Sequence, residues 1–112
     1  MVTDKFTLSD CVVKAVQGYG FILRTNGDIE EYNPEIQSGA KFVYNMDEVR
    51  QKCGFDYFEL ARMDKIMMIC DEEGLLVNKP INHNATMIWQ FATHCNNPIV
   101  GDVVLCNTKA VR

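Results

Sequence analysis

A chain of 112 residues with 47% apolar and 23% charged side chains has the composition of an ordinary folded protein, long enough to bury one core and too short for two. Eleven Lys and Arg against fifteen Asp and Glu leave a formal net charge of -4, and the basic residues are scattered singly rather than gathered into a phosphate-binding stripe, which argues against nucleic acid as a partner. No run approaches the ~18 apolar residues of a membrane span, the leading MVTDKFTLSD lacks a signal-peptide core, and the five cysteines share no CxxC pair, so reduced, buried thiols in a cytoplasmic protein are expected.

In chain order, Cys11 to Val16 is rich in β-branched residues and predicts a first strand, with turn glycines at Gly18 and Gly20 and a second strand over Phe21 to Arg24. Asn26-Gly27 is the dipeptide of tight hairpins, in which both central residues take positive φ. Ile29 to Tyr32 then returns beside the second strand, Asn33-Pro34 and Ser38-Gly39 bracket a loop, and Lys41 to Tyr44 is a further short strand. The whole reads as a β-meander over about 11–44.

A helix over about 46–53 follows. Asn45 is its cap, Asp47 and Glu48 sit in the first turn, Glu48 is placed for a reciprocal capping bond, and Gly54 is a left-handed stop. Residues 55–77 predict a hairpin. Phe55 to Met63 alternates, Asp64-Lys65 reverses the chain, and Ile66 to Cys70 is apolar enough for a central strand. Asp71 to Gly74 is then a polar tip, with strand resuming at Leu75 to Val77.

Asn82 caps a second helix over about 83–95, whose stripe is Ala85, Ile88, Phe91, Ala92 and Cys95. Asn96-Asn97-Pro98 should end it, and a strand over about 99–106 closes the chain. The expected fold class is α+β: a single mixed, mainly antiparallel sheet in one domain, with two helices packed on it. A partly uncovered face at this size would suit a ligand or a second copy, so a homo-oligomer is expected.

Chemistry-bearing residues are sparse. Asp71, Glu72 and Glu73 are adjacent on a turn and lack the alternating rhythm of a calcium loop, so they read as a solvated tip. His83 and His94 lie ~16 Å apart along one helix, too far to share a site. The five Cys and two His offer no zinc-type spacing. Tyr19, Tyr32, Tyr44, Tyr57 and Trp89 carry apolar bodies with polar tips, fit for packing or for stacking on a ligand. No catalytic residue, metal or cofactor is implied. Asp71, Glu72, Glu73, His83, Trp89 and Tyr57 are the candidate contacts for a ligand or partner. The alternative is a small hydrolase or lyase using His83 with the Asp71 to Glu73 turn.

Ile69-Cys70-Asp71-Glu72-Glu73-Gly74-Leu75-Leu76, Pro80-Ile81-Asn82, Ala85-Thr86 and the stretch from Pro98 to Leu105 together resemble the small proteins grouped as domain of unknown function 3846. Asn45 to Gly54 followed by Phe55-Asp56-Tyr57-Phe58-Glu59 is similar to that family's short helix and following strand. The likeness covers the C-terminal two thirds. It implies a phage or mobile-element accessory protein without catalysis of its own, engaging a host protein or sequestering a small ligand such as a nucleotide, with inhibition of host defence as one outcome.

Overall fold

A computed structural model describes residues 7–37 and 41–110. The expectations that rest on the leading residues and on Ser38-Gly39 lie outside them. In chain order the elements are α1 (Leu8–Val16), β1 (Phe21–Leu23), β2 (Ile29–Glu31), β3 (Glu35–Gln37), β4 (Lys41–Val43), α2 (Met46–Cys53), β5 (Phe58–Met63), β6 (Ile66–Asp71), α3 (His83–Thr93) and β7 (Val103–Asn107). The fold class is α+β, as the sequence indicates, with three helices rather than two.

The correction is α1. Residues Cys11 to Val16, read as a strand, form the body of a helix that begins at Leu8. Thr7 caps it, its hydroxyl accepting from the Asp10 N–H at 3.1 Å. Cys11 and Ala15, one turn apart, are buried, and Leu8 and Val12 pack beside them. The strand preference of three valines is weaker than the burial of this helical stripe against β6 and β7.

Strands β2-β1-β7-β6-β5 form one sheet in that order, and every pair is antiparallel. Period-two alternation sorts its side chains onto two faces. Phe21, Leu23, Ile66, Met68, Cys70, Val103 and Leu105 meet α1 and α3 in one cluster. Ile22, Met67, Ile69, Val104 and Cys106 meet Val49 and Cys53 of α2, with Tyr44 and Phe55, in the other. Helices therefore cover the sheet on both sides. β6 is buried along its whole length, as its unbroken apolar run requires.

A separate two-stranded ladder pairs β3 with β4, so the expected loop contains a strand. Between β1 and β2, Gly27 takes positive φ but Asn26 does not. The connection is a five-residue loop closed by Leu23↔Ile29, in which Arg24 N–H donates to Asp28 O at 2.9 Å, rather than the two-residue turn. Gly20 is required by a close approach: a Cβ there would collide with Tyr44 Oη and Tyr32 O. That hydroxyl donates to Tyr32 O at 2.6 Å.

Helix α2 has the predicted bounds. Asn45 Oδ1 accepts from the Asp47 and Glu48 N–H groups, and Gly54 stops it at φ 73°. The reciprocal bond is absent because Glu48 instead accepts from Tyr32 Oη at 2.6 Å. Helix α3 ends earlier than Asn96: His94 itself is left-handed, φ 58°, and its N–H donates to Gln90 O. The final strand begins at Val103, not at residue 99. Val100 makes an isolated bridge to Ile81, and Gly101 at φ 78° turns the chain before β7. Asp102 pins this corner to β1, accepting from Arg24 Nη1 and from Thr25 N–H, both at 2.9 Å.

Candidate functional site

Among the described residues, exposed apolar side chains gather on two surfaces, and the first is built on the acidic tip. Asp71 is not solvated. It ends β6 at 8% exposure, its Oδ2 pairs with Lys79 Nζ at 2.6 Å, and its Oδ1 accepts from the Glu73 N–H at 2.8 Å. Lys79 Nζ also donates to Gly54 O at 2.6 Å and lies over the Phe55 ring. Both ends of the 72–78 segment are thus tied to the β6 end and to the stop of α2.

Between these anchors the chain is not a strand. It coils on itself: Val77 N–H donates to Glu73 O, Lys79 N–H to Gly74 O, and Asn78 turns left-handed at φ 57°. Turned back on itself in this way, the segment does not join the sheet, and Leu75, Leu76 and Val77 stand in solvent, Leu76 at 81% exposure. Tyr57 is also exposed, and its backbone carbonyl accepts from the Glu72 N–H at 3.1 Å. Glu72 and Glu73 are exposed on the same turn. The result is an apolar knuckle with two exposed carboxylates at its start.

Four of the six predicted contacts, Asp71, Glu72, Glu73 and Tyr57, therefore come together, with Asp71 as an anchor. His83 and Trp89 do not join them. His83 is exposed at the first position of α3, and among the described residues no hydrogen bond or ion pair links it to the three carboxylates. Trp89 is half-buried against the α1 and α3 core cluster. Sequence reasoning missed Leu75 to Val77 as site residues because their composition suited a strand. The signal was Lys79, whose partner Asp71 is eight residues away.

The second surface is a groove between α1 and α3. Helix α1 lies on β7 and β6, α3 lies on β5, and the gap of about 440 Å³ is lined by Leu8, Val12, Val13, Met87, Phe91 and, from β6, Ile66. Such a volume is within the usual range of ligand sites. Phe91, expected in the core stripe, is 87% exposed, and Met87 one turn earlier is also exposed. From His83 to Thr93 the helix carries no Asp, Glu, Lys or Arg. The groove is not legible in the sequence because its valine-rich α1 wall has the composition of a strand.

Among the described residues no group of three or more His, Cys, Asp or Glu is placed to hold a metal ion, and no helix is long and apolar enough to cross a membrane. All five cysteines are free thiols, and all but Cys95 are buried. Burial pushes Cys11 and Cys53 up to about 11 and Cys106 up to about 12 from an ordinary 9.0, which keeps them in the unreactive protonated form. Titration of the native protein with a disulfide reagent should label one thiol per chain rapidly, Cys95, and the other four only at the rate of unfolding. Fast labelling of two or more would show that the buried set opens readily. The chain matches no family model, no curated protein and no solved structure.

Proposed function

We propose that the chain is a non-catalytic binding module that grips a protein partner with the Leu75 to Val77 knuckle. The setting implied by the sequence resemblance, a phage or mobile-element accessory protein, makes that partner a host protein, and a defence protein is the instance such genomes would favour. The observation that supports this reading is the tethered, solvent-facing apolar turn: Leu76 at 81% exposure between anchors made by the Asp71–Lys79 pair. A pre-ordered anchor loses little conformational entropy on docking. Apolar anchors of this kind fill pockets at interface centres, while charges work at the rim.

Glu72 and Glu73 stand at the start of the knuckle, so the complementary partner surface is an apolar pocket rimmed by Lys or Arg. Sequestration of a nucleotide has less support. The knuckle carries carboxylates, its neighbour Lys79 is engaged by Asp71 and Gly54, and the groove lining is uncharged. The test is affinity capture from bacterial lysate, identification of the bound protein and measurement of its affinity for variants. Leu76→Asp should weaken binding at least about 30-fold, the scale of a 2 kcal/mol hot spot, with unchanged unfolding behaviour. Binding indifferent to Leu76→Asp and to Glu72→Arg with Glu73→Arg would overturn the proposal. So would nucleotide turnover that is lost in His83→Ala.

A further inference from the structure

We propose that the outer edge of β5 pairs with the same edge of a second copy of this chain, joining the two five-stranded sheets into one across a two-fold axis. β5 is an end strand of the order β2-β1-β7-β6-β5, and the ladder with β6 fixes which of its backbone groups are free. Tyr57 O accepts from the Glu72 N–H, and bonded positions of an antiparallel pair recur at every second residue. Glu59, Ala61 and Met63 therefore turn their N–H and C=O groups toward β6, and Phe58, Leu60 and Arg62 turn theirs outward. Among the described residues nothing bonds these outward groups. Their alternation selects an extended strand as occupant, because a strand offers donors and acceptors at the same spacing. A helix, which uses its backbone groups internally, does not.

The two ends of the sheet differ. β2 is three residues long, holds Glu30 and Glu31 and runs on into Asn33-Pro34. Short, charged and followed by proline, it has the form in which edges are protected from pairing. β5 has six residues with no proline and no lysine, and its apolar Phe58, Leu60, Ala61 and Met63 are only half-buried. A second copy thus has no β2 edge to offer β5. What it offers is its own β5, and like edges meeting about a two-fold axis make a closed pair instead of a filament.

Register and charge fit that pair. With Leu60 opposite the partner's Leu60, Phe58 stands opposite the partner's Arg62, and Arg62 opposite the partner's Phe58. All the outward positions then meet as bonded pairs, each exchanging two hydrogen bonds, and a slip of two residues either way loses one of the three pairs. On the other face Glu59 stands opposite the partner's Ala61. The edge carries one acid and one base in a chain of net charge -4, and in this register no like charges face each other across the strands, which removes the repulsion an acidic surface brings to self-association.

Sedimentation velocity of the intact chain from about 1 to 500 μM, with residue-resolved amide exchange at the upper end, tests this. A monomer–dimer equilibrium is expected in the wild type. Arg62→Pro removes an outward donor and no bond within the chain, the place at which an edge strand accepts proline. It should leave the urea midpoint unchanged and raise the dissociation constant at least about 100-fold, since each dimer loses that bond twice. The Phe58 and Leu60 amides should exchange at least about 10-fold more slowly in the wild type than in Arg62→Pro, while those of Glu59 and Ala61, held by β6, stay slow in both. Diluting the wild type should release the same two amides, a reading that does not depend on how the variant folds. A wild-type monomer throughout the range overturns the proposal. So does a dimer that survives Arg62→Pro, or one whose Phe58 and Leu60 amides exchange no more slowly than in the monomer. Leu76→Asp changes the knuckle and not this edge and should leave the dimer intact, so the two proposals fail separately.

Discussion

Asn82→Ala is expected to destabilise the fold by about 4 kcal/mol, a large fraction of the 5–15 kcal/mol available to a domain of this size. The Asn82 side chain is fully buried at 0% exposure and uses all its near-term partners. Its amide donates to Leu23 O at 2.8 Å and to Gly101 O at 2.9 Å, and its Oδ1 accepts from Ala85 N–H at 3.0 Å. One residue thus joins the end of β1, the corner before β7 and the start of α3. Removing it deletes a helix cap, worth about 1 kcal/mol, and takes a donor from two buried carbonyls at about 1–3 kcal/mol each. Asn82→Asp separates the contributions: it keeps the capping acceptor but turns a negative oxygen toward the two carbonyls, and should be at least as damaging. Urea denaturation at neutral pH measures both. A loss under 1 kcal/mol in Asn82→Ala, or a near-neutral Asn82→Asp, would show that the site is only a cap.

A second large effect is expected at alkaline pH. Burial raises the Cys11 and Cys53 thiols to about 11 and Cys106 to about 12, from an ordinary 9.0, and lifts Cys70 further. A raised folded-state value means that the unfolded chain releases its protons first as pH climbs past 9. Stability is therefore complete below pH 9 and falls from there up to the folded values. At pH 10 each thiol contributes about 1.4 kcal/mol of loss, so four remove about 5 kcal/mol. Tyr32 and Tyr44, also raised mainly by burial, add to the decline above pH 10. Urea midpoints from pH 8 to 10.5 should drop steeply, and Cys106→Ala should reduce the slope by about a quarter. Flat stability from pH 8 to pH 10 would mean that the thiols are hydrated in the native state.

The parts of this fold legible in the sequence are those where independent local signals agree. Helix α2 has its cap in Asn45, its acids in the first turn, its buried pair Val49 and Cys53 and its stop in Gly54, all within ten residues. The β5–β6 hairpin is equally local, reversing through Asp64 at φ 71° beside a strand too apolar to lie anywhere but the centre. Helix α1 was misread because propensity and packing disagree there: its valines prefer strands, while Cys11 and Ala15 need the sheet beneath them.

Of the candidate site, the carboxylates at 71–73 and Tyr57 could be picked out, but not the difference between them. That Asp71 is an anchor and Glu72 and Glu73 are solvent-facing depends on Lys79 folding back across the turn. The knuckle and the groove are properties of surfaces. Phe91 continues the apolar spacing of α3 as well as Ile88 does, yet Ile88 is buried in the cluster shared with the sheet and α1, and Phe91 faces outward.

The sheet order carries a consequence for synthesis. β7, in the middle of the sheet between β1 and β6, is synthesised after the four other strands of that sheet, some eighty residues after β1. Until Val103 to Asn107 emerges, β1 and β6 each present an open backbone edge and apolar faces, the condition in which nascent chains recruit chaperones or misassemble. The fold must close in one late step, and ribosome-bound chains arrested before residue 103 should remain protease-sensitive over β1 and β6, however complete their local helices are.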